Sequence, residues 1–254
     1  MDEPKPPGQS TRAMAARRRR TALAIAVIVL LMMAMIALIF QSRILAGFGG
    51  ASLALLILLG ILSEVADRET TRLLKAERRA LRGARGEEAV ASILAGLGQD
   101  LFAIHDVESP YGNIDHVVIA RSGSVVLLET KAHYGRVDVV DGLLLLNGKI
   151  PEKDFLAQAL RNASWLGERI SALVGGRVWV TPILVFANAF VPRLPPTKGV
   201  RIVNRRFLNA EISALNKVAS RGHRVWDIRN EIAQNLQMPT TRPHGANRPR
   251  IGRA

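Results

Sequence analysis

Residues 113–131 read NIDHVVIARSGSVVLLETK. Two apolar runs flank Arg121-Ser122-Gly123, and each carries charge where a buried strand should carry none. Asp115 interrupts the first run, and Glu129 with Lys131 closes the second. A three-residue loop ending in glycine is a common hairpin connection. Taking 114–120 and 124–131 as an antiparallel pair with Ala120 facing Ser124 makes paired positions sum to 244. Asp115 then falls opposite Glu129. Strict alternation puts Asp115, Val117 and Ile119 on one face and Val125, Leu127, Glu129 and Lys131 on the matching one.

Directly opposed residues bring their Cβ atoms to about 4.5–5.5 Å, where two like charges repel, and an apolar sheet face deepens that repulsion. A hard divalent cation compensates, because Mg²⁺ prefers carboxylate oxygens. Asp115 and Glu129 are the candidate metal ligands, with Mg²⁺ or Mn²⁺ as the expected cofactor. Lys131 is a second compensating charge that can orient or deprotonate a water. A plain salt bridge from Lys131 to one carboxylate at a strand end satisfies the same residues without a metal. His116 points away from Asp115 in this scheme and reads as structural. His133 and Tyr134 follow the lysine as loop residues, and Trp165, Trp179 and Trp226 read as core or interface anchors.

Outward from the hairpin, strand patterns occur at 101–107, across 136–146 as a further pair, at 178–187 and at 200–204. Helical periodicity marks about 63–97, with breaks expected at Gly83 and Gly86. A second helix is opened by Pro151, with Leu156, Leu160, Ala163, Leu166 and Ile170 on one face. A third runs from about 206 to 219. The order predicts an α/β fold, an α+β mixed sheet flanked by helices.

Ahead of that domain lie two apolar blocks, 22–40 and 44–62, separated by Gln41-Ser42-Arg43. Each approaches the roughly 20 residues that span ~30 Å of hydrocarbon. Together they predict a two-helix transmembrane hairpin over 21–62, in contact with membrane lipid. A signal peptide fits the first block poorly, since its apolar core should be about 7–15 residues long before a small-residue cleavage site. Arg17–Arg20 precede the hairpin and a basic run over 64–86 follows it, which places both termini and the soluble domain in the cytoplasm. Gly47, Gly49, Gly50 and Ala51 allow close packing of the two helices. Residues 1–20 and 238–254 are expected as disordered basic tails, 63–82 as a connecting helix, 83–219 as the folded domain and 220–237 as a C-terminal helix.

The formal charge is +14, but residues 87–237 carry only +2 of it, with seventeen basic and fifteen acidic side chains. The positive charge therefore speaks more for a membrane surface than for a nucleic-acid groove in the domain. Arg136, Lys149, Lys153, Arg205 and Arg206 can still form a local patch. The chain has no cysteine, which excludes disulfides, thiolate zinc sites and a cysteine nucleophile. Arginine outnumbers lysine 28 to 7, in keeping with a GC-rich bacterial source and a bacterial plasma membrane.

An acid on one strand followed by Glu-x-Lys on the next resembles the PD-(D/E)xK nuclease arrangement. The longer pattern is more specific. Gly83-x-x-Gly86-Glu87, Gly112-Asn113-Ile114-Asp115-His116-Val117-Val118, Glu129-Thr130-Lys131 with Gly135, and Gln158 inside a helix resemble the nuclease-related domain (NERD) family over about 80–190. The resemblance implies a restriction-endonuclease-like fold and a Mg²⁺-dependent nuclease ancestry. It makes Asp115 and Glu129 metal ligands, Lys131 a water-activating or charge-stabilising residue, Glu87 a helix-borne carboxylate of the same site and Gln158 a contact to water or phosphate. Ala132 departs from the polar residue many relatives carry there. The expected activity is phosphodiester hydrolysis of DNA or RNA at the membrane. The rival expectation is a membrane-tethered module that binds nucleic acid or protein without cutting.

Overall fold

A computed structural model describes residues 8–44, 49–216 and 223–237. The expected 238–254 tail, Gly47 and the start of the C-terminal helix at 220–222 lie outside the described residues. The chain divides into two compact units at Arg85–Gly86.

The first unit holds a long helix, α1 (Gln9–Ile44), and most of α2 (Gly49–Ala95). Within it, the Arg18 guanidinium donates to the Ala76 carbonyl at 3.1 Å, and Gly83 leaves room for Thr11. Residues 9–20, expected in a disordered tail, are helical because AMAARRRR is built of strong helix formers with no proline after Pro7. Gln41–Arg43, expected as a loop, continue α1. The expected breaks at Gly83 and Gly86 are also absent. A glycine costs a helix only ~1 kcal/mol, and the surrounding Ala, Leu, Arg and Glu carry α2 through both.

Among the described residues, one helix segment, Thr11–Ile36, is long and apolar enough to cross a membrane, and only 6% of it is buried. It is therefore not a core helix of this unit. The second expected span is only partly described. Its described part, Gly49–Leu62, is helical and continues into the rest of α2.

The second unit is a five-stranded mixed sheet with helices on both faces. β1 (Leu101–Ser109), β2 (Gly112–Ala120) and β3 (Val125–Lys131) form an antiparallel meander. The chain then makes a separate ribbon, β4 (Val137–Val140) with β5 (Leu143–Leu146), before α3 (Phe155–Val174). It returns as β6 (Val180–Phe186), parallel to β3, and β7 (Arg201–Asn204), parallel to β6. A single 3₁₀ turn over Arg205–Phe207 leads into α4 (Leu208–Asn216), and α5 (His223–Asp227) and α6 (Arg229–Gln237) follow. The sheet order β1-β2-β3-β6-β7 sets β3 at the centre. Parallel pairing of β3 and β6 requires a long crossover, which α3 supplies.

Gly123 adopts φ +84 and its N–H returns to the Ala120 carbonyl at 2.8 Å, so the loop reverses the chain within three residues. The β2–β3 register follows as expected, from Ile119–Val125 to His116–Leu128. One face of the sheet packs Ile104, Val117, Ile119, Val125 and Leu127 under Leu166 and Ile170 of α3. The other packs Val118, Val126, Leu128, Ile183 and Val185 under Val90 and Leu94 of α2 and Ile212 of α4. α3 begins at Phe155 rather than at Pro151, because Asp154 caps it by accepting the Ala157 N–H at 3.0 Å.

His105 and His116 stand in this core edge to face, with Nδ1 atoms 2.8 Å apart, so one ring donates the proton that the other accepts. His116 Nε2 is buried without a hydrogen-bond partner. Burial, aided by His105 and opposed by the Glu87 backbone, pushes the His116 imidazole down to about 3. A folded pKa below the unfolded value near 6.5 means that protons favour the unfolded chain. The stabilising effect of a neutral His116 is complete above about 6.5 and drains as pH falls toward about 3. Urea midpoints measured from pH 7 to pH 4.5 should fall more steeply for the native chain than for His116→Gln. Equal slopes would assign the acid sensitivity elsewhere.

Candidate active site

The carboxylates meet where the strand ladder breaks. Pairing of β1 with β2 runs to His105–His116 and resumes at Val107–Ile114, skipping Asp106 and Asp115. Asp106 holds φ +58, a conformation incompatible with a continuous strand. The break overturns the strict alternation expected of β2, because Ile114 and Val117 both join the core cluster under α3. It also frees the Asp115 side chain to act within the sheet. In a continued register Thr130 would face Ile114, yet the Thr130 N–H is taken at 2.6 Å by Asp115 Oδ2. The carboxylate thus stands in for a missing strand carbonyl. On its other edge β3 stays paired to β6, with Glu129 beside Leu184 and Lys131 beside Phe186.

Glu129 is 3% exposed. Its Oε1 accepts from Lys131 Nζ at 2.6 Å, while Oε2 is buried without a hydrogen-bond partner. Lys131 Nζ also lies 4.8 Å from the ring centroid of Phe155, on the first turn of α3. Phe155 in turn packs against the His133 ring at 5.5 Å. Glu87 of α2 is not the solvated helix acid its neighbours Arg82, Arg85 and Glu88 suggest, since only 8% of it is exposed.

Gly86 makes that burial possible. A Cβ there would lie 3.2 Å from Ala132 Cβ and 3.3 Å from Ala187 Cβ, tighter than most Cβ contacts, so glycine eases this close approach of the helix to the strand ends. Ala132 acquires a reason too, since a larger side chain would crowd Gly86.

These groups act on one another electrically. Burial first, then the charges of Glu129 and Glu87, hold the Asp115 carboxyl well above the usual carboxylate range. Lys131 and the Thr130 N–H oppose that rise. Asp115, Glu129, Glu87 and Lys131 therefore form one cluster. Gln158, half-buried on α3, rests its Nε2 against Gly112 at the start of β2. One turn on, the buried Asn162 side chain meets the Ser109 hydroxyl at 2.7 Å, which pins the β1–β2 turn to α3.

Among the described residues, no three His, Cys, Asp or Glu side chains are arranged to hold a metal ion. Lys131 occupies one oxygen that a ligand set would use. The donors nevertheless fit a hard cation, since carboxylate oxygens cluster and Glu129 Oε2 has no donor of its own. Sequence reasoning missed Phe155, Asp106 and the Thr130 N–H. Phe155 gave no signal beyond its place in a helix, because its contact with Lys131 crosses from α3 to β3.

A mixed α/β sheet thus gathers carboxylates and a lysine at the end of its central strand. Residues 82–187 match the model of the nuclease-related domain family, which suggests a nuclease-like fold for this part of the chain. No curated protein and no solved structure matches the chain.

Removing one partner of a buried ion pair leaves an uncompensated charge, at a cost of about 3–5 kcal/mol. Lys131→Met should therefore destabilise the domain by about that much in chelator, and adding Glu129→Gln should restore most of the loss. Denaturant unfolding of the two variants checks this. A neutral Lys131→Met would mean that the pair does not compensate the buried acid.

Proposed function

We propose that the chain is a membrane-anchored, metal-dependent nuclease that hydrolyses phosphodiester bonds of DNA or RNA. The observation that carries this reading is the cluster itself. Two strand carboxylates and a helix carboxylate press on one another, Lys131 pairs with Glu129, and Glu129 Oε2 lacks a hydrogen bond. Asp115 and Glu129 would hold Mg²⁺ or Mn²⁺, with Glu87 supporting them. When bound, the cation would neutralise the paired acids and act as a Lewis acid toward phosphate.

The rest is the work of the chain. Thr130 fixes Asp115 through its backbone N–H, and β6 and Phe155 fix Lys131. The Lys131 ammonium, on leaving Glu129, can orient a water or offset charge developing on phosphate. Gln158, near Gly112, would contact substrate at the margin of the site. A second reading, a domain that binds nucleic acid without cutting, draws on one observation, the absence of a preformed three-ligand set among the described residues.

Cleavage of labelled DNA and RNA with Mg²⁺ or Mn²⁺ should occur with the native chain and fall at least a hundredfold in Asp115→Ala and Lys131→Ala. Retained cleavage in both variants would exclude this site, and binding without cleavage by the native chain would favour the second reading. In parallel, Mg²⁺ should raise the melting temperature of the native chain but not that of Asp115→Asn with Glu129→Gln.

For location, we propose that α1 anchors the chain in the bacterial plasma membrane with its arginine-rich start, Arg17–Arg20, on the cytoplasmic side. The soluble unit and both termini would then share the cytoplasm, if α2 returns the chain. A reporter fused after Ala254 should behave as cytoplasmic. Periplasmic behaviour would reject that orientation.

A further inference from the structure

A groove of about 470 Å³ opens beside the edge strand β7, at the same end of the sheet as Lys131. Ile202, Val203 and Leu194 help to line it, and two phenylalanines stand over it, Phe190 at 58% and Phe207 at 60% exposed. Such rings are usually buried, so a pair left in water calls for an occupant. The surrounding charge is cationic. Arg193 lines the groove and Arg205 and Arg206 precede Phe207, and none of the ion pairs among the described residues engages these three. Arg136 lies over the Phe190 ring at 5.2 Å, its own charge shared with Asp138. Glu211, the acid on the lining, is already paired with Arg201.

The groove is also tied to the acidic cluster through the backbone. The Phe190 N–H donates to the Gly135 carbonyl at 2.7 Å, and the Val137 N–H returns to the Phe190 carbonyl at 2.9 Å. Gly135 lies only four residues beyond Lys131, and the Ala187 N–H donates to the Lys131 carbonyl. The Asn204 amide braces the same segment by donating to the Ala189 carbonyl at 2.7 Å. Phe190 is therefore held on a rigid connection from the strand that ends in Lys131.

We propose that this groove is a platform for single-stranded nucleic acid, with bases stacking on Phe190 and Phe207 and phosphates meeting Arg193, Arg205 and Arg206. Exposed aromatic faces interleaved with cations suit a single strand, because unpaired bases offer their π-faces and duplex bases do not. The site rests on the nuclease reading above, and it names the form of substrate that reading would take. A peptide partner would exploit the same apolar floor, but three unengaged arginines favour a polyanion.

The test uses the full-length chain in detergent, inactivated by Asp115→Asn, with a fluorescent oligothymidylate and a duplex of equal length. Anisotropy should show the single strand bound more tightly than the duplex. Phe190→Leu and Phe207→Leu, which keep the apolar surface, should each weaken single-strand binding about fivefold or more. Phe190→Tyr should retain native affinity. Arg205→Ala with Arg206→Ala should flatten the dependence of affinity on salt. Single-strand binding that is unchanged in both leucine variants would overturn the platform while leaving the nuclease reading intact, and would hand the groove to a peptide. A preference for the duplex would overturn it equally. A native chain that binds neither oligonucleotide would remove the platform together with the reading it rests on.

Discussion

A carboxylate that is 3% exposed at the end of a central strand is a charge taken out of water, and the second unit is organised around keeping it there. The Lys131 ammonium at 2.6 Å offsets it, but Asp115 and Glu87 bring further negative charge into the same volume. An isolated pair of this kind can be replaced by apolar side chains with little loss or even a gain of stability. A cluster with excess acid and an orphaned Oε2 is harder to explain as a device for stability. A strongly perturbed acid gathered with others at a strand end fits the pattern of a functional site better than one of folding alone.

The break in the ladder is the structural means. A continuous strand would have fixed Asp115 perpendicular to the sheet and given Thr130 a backbone partner. The left-handed Asp106 interrupts β1 opposite Asp115, and the Asp115 carboxylate takes the Thr130 N–H in place of a carbonyl. This hydrogen bond costs the acid one acceptor site but fixes its position. The parallel edge with β6 stays intact, so β3 does not fray as it delivers Glu129 and Lys131. Rigidity on one edge and a gap on the other let the carboxylates approach without unzipping the sheet.

What the sequence made legible follows from interactions close along the chain. The loop at Gly123 sets the parity of the β2–β3 pairing, and parity alone brings Asp115 toward Glu129. Alternation fails beyond His116 because a residue on another strand, Asp106, breaks it. The burial of Glu87 was equally hidden. It depends on Gly86 meeting Ala132 and Ala187, three segments far apart in sequence. Phe155 over Lys131 and the 73% exposure of Trp179, which leaves its role as an interface anchor rather than a core one, are of the same kind. At α3 a local signal was misread. Pro151 breaks the preceding chain, whereas Asp154 supplies the acceptor that starts the helix. Helix continuity through Gly83 and Gly86 shows the reverse case, in which a local penalty of ~1 kcal/mol is too small to stop a helix made of good formers.

The charge of the cluster constrains how any phosphate reaches it. With the carboxyl groups of Glu87, Glu129 and Asp115 gathered about Lys131, the site is unfavourable to an anion. Two unit charges 4 Å apart interact by about 4 kcal/mol at the effective dielectric of a protein surface. Burial and the charges of Glu129 and Glu87 raise the Asp115 carboxyl, the direction such repulsion favours. A phosphodiester therefore approaches only if positive charge enters with it or before it. The domain is too nearly neutral to supply that charge at long range, with +2 over residues 87–237. On the reading proposed above, attraction of a polyanion would fall to local arginines set apart from the acids, and turnover to a cation at the acids. Binding and chemistry would then answer to different residues.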